Sequence, residues 1–213
     1  MDTQIEKMKP FLVKVCGINR KNNLKRIGNL DVDMIGLNFY LGSKRFLNNI
    51  SITINPNVKR VGVFVDPSIT ELIQYSADAQ LDYIQLHGSE GPEFCREAKE
   101  ICPIIKAFGV DENFNFLMLK DYDMVEYFLF DTKVDTHGGS GKKFNWDKLT
   151  EYKGDIPFLL AGGIGPDDAN EIKELKHPMF IGVDINSKFE IEPGLKHVPK
   201  VDAFVKQLKN QKS

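Results

Sequence analysis

Short apolar runs recur along the whole chain: Phe11–Val15, Met34–Phe39, Val61–Val65, Tyr83–Leu86, Ile104–Phe108, Tyr127–Phe130, Phe158–Leu160 and Phe180–Val183. Each has the length and the aliphatic or aromatic content of a buried strand, and successive starts lie 21 to 31 residues apart. The intervening segments carry helical patterning. Ser68–Ala79 begins at a capping-type serine with Glu71 three residues on. Gly91–Ile101 places Pro92 in the first turn and spaces its apolar residues for one helix face. Pro166–Leu175 and Val201–Leu208 fit the same template, and Leu24–Leu30 supplies about two turns. Ser51–Asn57 is poor helix material, because Ile52, Thr53 and Ile54 are followed by Pro56.

Eight strand–helix units in 213 residues predict a single-domain (β/α)8 TIM barrel over residues 1–213, with a short N-terminal arm (about 1–9) and a polar tail (about 210–213). A doubly wound sheet is the competing α/β architecture, but it usually has fewer strands and often a GxGxxG after the first. Here the first strand runs into Cys16-Gly17-Ile18-Asn19, which is not that fingerprint. The longest interval, Tyr127 to Phe158, holds Gly138-Gly139-Ser140-Gly141 with Lys142 and Lys143, and predicts an elaborated active-site loop. Asn145 then reads as a helix N-cap with Trp146–Leu149 as the first turn.

Charge and cysteine usage narrow the function classes. A formal net charge of −2, with basic residues scattered, excludes bulk attraction to nucleic acid or an acidic membrane. No run approaches the ~20 apolar residues of a membrane span, and MDTQIEKMKP lacks a signal-peptide core. Cys16, Cys95 and Cys102 form no CxxC and have no paired histidines, so neither a disulfide framework nor a structural metal is expected. The chain reads as cytoplasmic, with reduced thiols.

In such a barrel the C-terminal strand ends face one mouth, and chemistry collects there. Strand one ends at Cys16, with Lys14 two residues earlier on the same side. Either Cys16 is an inert core thiol, or the nearby ammonium lowers its pKa from the ~8.5 reference and makes it reactive. Asp131 is either a strand-end stabiliser or a general acid, which would need partial burial to hold its proton. Arg45 is a solvated charge or a planar fork for a substrate carboxylate. His87 reads as a hydrogen-bonding group at the mouth. After strands seven and eight, Gly162-Gly163 and the Asp184, Asn186, Ser187 loop suit a phosphate, which barrels often bind there on backbone N–H groups. The plainer reading of the glycine pair is a tight turn.

Taken together, Lys14–Ile18 (KVCGI), Gly42–Phe46 (GSKRF), Arg60–Val65 (RVGVFV), Gln85–Gly88 (QLHG), Phe130–Thr132 (FDT), His137–Lys142 (HGGSGK) and Ala161–Ile164 (AGGI) resemble phosphoribosylanthranilate isomerase, a (β/α)8 enzyme of tryptophan biosynthesis, from about Phe11 to Leu208. The resemblance implies an Amadori rearrangement of N-(5-phosphoribosyl)anthranilate to the 1-deoxyribulose 5-phosphate. Asp131 would be the acid that opens the ribose and Cys16 the base that takes the C2 proton. Arg45 would hold the anthranilate carboxylate. Lys14, His87 and Gly139 would also touch substrate, with Gly138–Gly141 as a lid and the phosphate on Gly162, Gly163, Asp184, Asn186 and Ser187. No cofactor or metal is implied, because the substrate nitrogen supplies the electron push; the protein would be a monomer or homodimer acting on a small molecule. Three places depart from the family pattern: Tyr40-Leu41-Gly42, Lys188 where glycine is usual, and His137 where tyrosine is common. Two other classes stand beside this one: another phosphosugar barrel (a histidine-biosynthesis isomerase or pentose-phosphate epimerase) built on a carboxylate pair or a metal, and a barrel that only binds a phosphorylated metabolite.

Overall fold

The computed structural model describes residues 11–48, 54–133 and 143–209. Eight strands close into one barrel: β1 (Leu12–Cys16), β2 (Met34–Asn38), β3 (Lys59–Phe64), β4 (Tyr83–Leu86), β5 (Ile104–Val110), β6 (Tyr127–Thr132), β7 (Phe158–Leu160) and β8 (Phe180–Ile185). Each pairs in parallel with its neighbour, and β8 pairs with β1. The predicted barrel is the observed one. A register shift between Phe158 and Leu159 marks the β7–β8 seam.

Strand alternation divides the core in two. The outward face of the strands packs under the helices around Val13, Val15, Phe128, Phe130, Phe158 and Val183. The inward face fills the barrel with Met34, Val61, Ile105, Leu129, Leu159 and Ile181. Above that apolar plug the inward positions turn polar, with Lys14, Gln85 and Asp184 buried.

The helices obey their sequence signals where those are strong. In α2 (Ile69–Ala79), Ser68 Oγ accepts from Glu71 N at 3.2 Å and Ser68 N donates to Glu71 Oε2 at 2.8 Å, a complete capping box. In α3 (Pro92–Lys99), Cys95 and Ala98 are buried. α4 (Ala169–Glu174) is entered through a 3-10 turn at Pro166–Asp168. α5 (Val198–Lys209) buries Val201, Phe204, Val205 and Leu208, and α1 (Lys21–Ile27) buries Leu24 and Ile27.

Two predicted connections differ. Asn145 does cap, accepting from Asp147 N at 3.1 Å, but it opens only a 3-10 helix, Trp146–Glu151. Between β5 and β6 there is likewise only a 3-10 helix, Phe116–Tyr122. The reason is packing: Phe116, Phe128, Phe130, Tyr152 and Phe158 form a chain of ring contacts that occupies this flank of the barrel. The proposed lid, including Gly139 and His137, lies outside the described residues, as do the terminal arm and the tail. Among the described residues no helix is long and apolar enough to cross a membrane.

Candidate active site

At the C-terminal mouth a cavity of about 480 Å³ is lined by Cys16, Arg45, His87, Asp131, Gly162 and Asp184, among others. That volume is within the ~300–1,000 Å³ of small-molecule sites. Cys16 is the last residue of β1 and only 6% exposed, with its sulfur over Gly36 on β2. Lys14, one inward step below, is fully buried and donates from Nζ to Asp184 Oδ2 at 2.8 Å. Burial would pull the Lys14 ammonium down, but Asp184 and Cys16 more than offset it and hold its pKa above the ordinary value. Burial pushes the Asp184 carboxyl up, and its Oδ1 is buried without a hydrogen-bond partner among the described residues.

The geometry corrects the expectation that Lys14 makes Cys16 acidic. Burial pushes the thiol pKa up; Lys14 and Lys196 pull it down, Asp184 adds to the rise, and the net direction is upward. Desolvation of a thiolate outweighs an ammonium whose charge is already committed to Asp184. Cys95 and Cys102, both free and buried, are pushed up to about 11 by the same cause.

Asp131 lies within β6 rather than just past it, and its side chain is 27% exposed. Its Oδ1 accepts from Thr132 N at 2.7 Å, and its Oδ2 is 3.5 Å from His87 Nε2. Gln85 Nε2 lies 2.8 Å from His87 Nδ1, which turns the other ring nitrogen, Nε2, toward the carboxylate. Gly162 packs directly against this group: a Cβ there would lie 2.3 Å from Thr132 Oγ1 and 2.9 Å from Asp131 Oδ1. Gly162 and Gly163 both adopt positive φ, 86° and 64°, a conformation that favours glycine.

Arg45 reaches the cavity from the loop after β2, and Ser43 Oγ accepts from its backbone N at 3.1 Å. Its stem crosses Gly17, where a Cβ would meet Arg45 Cδ at 2.6 Å and Asn186 Oδ1 at 3.1 Å. The guanidinium donates twice to Glu190, Nε to Oε1 at 2.9 Å and Nη2 to Oε2 at 2.7 Å. Asn186 and Ser187 line the same cavity after β8, whereas Lys188 is exposed and does not. Lys143, where the described chain resumes, is tied to Asp168 at 2.6 Å and Glu171 at 3.1 Å. Among the described residues, no three His, Cys, Asp or Glu side chains converge as a metal would require.

A sequence model described as N-(5'-phosphoribosyl)anthranilate isomerase matches residues 13–207. The curated isomerase of Parabacteroides distasonis is 42% identical over 208 residues, covering 93% of each chain. This chain belongs to the phosphoribosylanthranilate isomerase family. The crystal structure of that enzyme from Thermotoga maritima superposes with a TM-score of 0.82 at 31% identity, covering 94% of this chain and 100% of that one. A phosphoribosylanthranilate isomerase solved with reduced 1-(o-carboxyphenylamino)-1-deoxyribulose 5-phosphate superposes at 0.79 and 28% identity, over 94% of this chain and 100% of that one.

Several groups at the mouth of this isomerase escape a reading of the sequence alone. Gln85, which orients the His87 ring, and Gly36, which makes room for Cys16, both sit on barrel strands at inward positions. Their two-residue offset from His87 and from Asn38 is a usable signal. Glu190 and Lys196 belong to a small antiparallel ribbon, β9 (Glu190–Glu192) and β10 (Leu195–Lys196), turned at Pro193-Gly194. The Pro-Gly pair announces the turn, but nothing in the pattern announces that these charges are buried.

Proposed function

We propose that this isomerase converts N-(5-phosphoribosyl)anthranilate to 1-(2-carboxyphenylamino)-1-deoxyribulose 5-phosphate by an Amadori rearrangement, with Asp131 as acid and Cys16 as base. The observation that carries the reading is that Cys16, Asp131, Arg45 and the Gly162-Gly163 turn all line one cavity. They offer a base, an acid, a carboxylate fork and a phosphate turn to one elongated substrate with an anion at each end.

Asp131 protonates the ring oxygen while the substrate nitrogen pushes, breaking the C1–O bond and leaving an iminium. The thiolate of Cys16 then takes the C2 proton, and the electron pair neutralises the iminium as an enolamine. Tautomerisation of the enol to the ketone returns the protons, so the isomerisation is balanced. The raised thiol pKa fits this order, because the iminium places a positive charge beside Cys16 when thiolate is needed.

Arg45 takes the anthranilate carboxylate, and the backbone of Gly162 and Gly163 with Asn186 and Ser187 takes the phosphate. Asp184 is a poor phosphate ligand, since a carboxylate repels a phosphate dianion. Its orphan Oδ1 is better suited to accept from a ribose hydroxyl. Lys14 holds Asp184 in place. Loss of anthranilate-type fluorescence on adding the purified protein to phosphoribosylanthranilate tests the reaction; a well-folded protein that leaves the signal intact would overturn it.

A further inference from the structure

Arg45 does not stand alone in the cavity wall. Glu190, with a side chain 5% exposed, grips it through both carboxylate oxygens and also accepts from Gly194 N at 3.0 Å. The same Glu190 accepts from Lys196 Nζ at 2.6 Å, and Lys196 Nζ donates on to Asn186 Oδ1 at 2.6 Å. Arg45, Glu190, Lys196 and Asn186 therefore form one continuous chain of bonds. It runs from the residue assigned to the substrate's carboxylate to the loop assigned to its phosphate.

The ribbon that carries this chain is held from below. Asn23 on α1 accepts from Lys196 N at 2.8 Å and donates to Lys196 O at 2.9 Å. Gly194, at φ 87°, accepts at its carbonyl from Asn19 N at 3.1 Å. Lys196 has no exposed side-chain surface, so its charge serves the interior rather than solvent.

Charge and donor accounting show what this chain does. Two cations and one anion leave one net positive charge at the cavity wall, suited to an anion. Among the described residues, Glu190 alone accepts from the guanidinium, using two of its five N–H groups and leaving three for a ligand. A fork gripped on one edge has lost its rotational freedom before substrate arrives, which is what preorganisation means for a long side chain.

We propose that Glu190 and Lys196 are positioning residues: Glu190 fixes the Arg45 fork so that its free edge meets the substrate's aryl carboxylate, and Lys196 couples that fork to the phosphate loop. This rests on the reading of Arg45 as the carboxylate's partner.

The test compares phosphoribosylanthranilate with the phosphoribosylamine of aniline, which lacks the carboxylate, using wild type, Glu190→Gln, Arg45→Ala, their double variant and Lys196→Met. Glu190→Gln raises KM for the carboxylate substrate on the order of tenfold, more than it lowers kcat, and affects the aniline analogue far less. In the Arg45→Ala background, adding Glu190→Gln changes nothing further. Lys196→Met raises KM for both substrates, because both carry the phosphate. If Glu190→Gln melts early, Glu190→Asp, which keeps the charge and shortens the reach, gives the same readout.

Equal KM increases on both substrates in Glu190→Gln, with Arg45→Ala still discriminating, would make Glu190 merely structural and leave Arg45 in its role. A lower KM in Glu190→Gln would show that Glu190 competes with substrate, and would overturn the proposal. Unchanged KM in Lys196→Met would remove the coupling to the phosphate loop. No discrimination in Arg45→Ala would sink the Arg45 reading and this inference with it.

Discussion

Cys16 Sγ occupies the space that a side chain on Gly36 would need. A Cβ on Gly36 would lie 2.6 Å from the sulfur and 3.0 Å from Cys16 Cα. The two residues pair across β1 and β2, so neither backbone can step aside without breaking the ladder. Gly36→Ala should therefore displace the thiol rather than unfold the barrel, lowering kcat by up to about 10²-fold for a shift near 1 Å. Steady-state kinetics beside a thermal melt checks this; an intact fold with unchanged kcat would mean that the sulfur position is not critical.

The acidity of Cys16 gives a second prediction with a definite sign. Burial raises the thiol pKa and Asp184 adds to the rise, while Lys14 opposes it. Thiolate should therefore form only above the ~8.5 of a free cysteine. Alkylation of Cys16 by iodoacetamide, monitored by peptide mass spectrometry across pH, should show a midpoint above that value. Asp184→Asn removes a nearby negative charge and frees Lys14, so the midpoint should fall. A midpoint that starts low, or does not move in Asp184→Asn, contradicts the electrostatic account.

The Lys14–Asp184 pair has side chains 0% and 7% exposed, so breaking it by removing one partner strands a buried charge. Lys14→Met should cost about 3–5 kcal/mol in urea unfolding. Lys14→Met with Asp184→Asn should recover much of that loss, because no buried charge remains. A double variant no more stable than the single one would show that the pair acts through packing instead.

Gly162 joins the two ends of the proposed chemistry. Its φ of 86° disfavours any side chain, and a Cβ would strike Thr132 and Asp131. Gly162→Ala should raise KM through the phosphate turn and lower kcat through the displaced acid. The left-handed backbone alone costs about 1–3 kcal/mol, and the contact with Thr132 N at 2.5 Å adds to it, so a thermal melt accompanies the kinetics. A change confined to KM would separate Gly162 from Asp131.

The barrel was legible because eight buried strands leave eight apolar runs, and nothing else in the chain competes with that signal. The strand ends were less so. Asp131 and Asp184 lie inside β6 and β8, since a carboxylate facing a wet mouth can continue a ladder that composition alone would stop. The missing helices near Phe116 and Trp146 were hidden because a ring cluster decides that flank through tertiary contact. Cys16, Asp131 and Arg45 were legible as candidates near the strand ends, and all three line the cavity, but their settings were not legible. Whether Lys14 acidifies Cys16 depends on Asp184, which is 170 residues away along the chain. Glu190 and Lys196 look like ordinary surface charges until the ribbon folds them over Arg45.

The division of labour between Asp131 and Cys16 is tested most directly by single-turnover kinetics with substrate deuterated at C2. Both Cys16→Ser and Asp131→Asn should slow the reaction by about 10²–10⁴-fold. Only Cys16→Ser should show a full primary isotope effect, because C2 proton removal becomes its slow step. Asp131→Asn should show none, because ring opening then limits. An isotope effect on Asp131→Asn alone, or near-wild-type rates in Cys16→Ser, would contradict the assignment of acid and base.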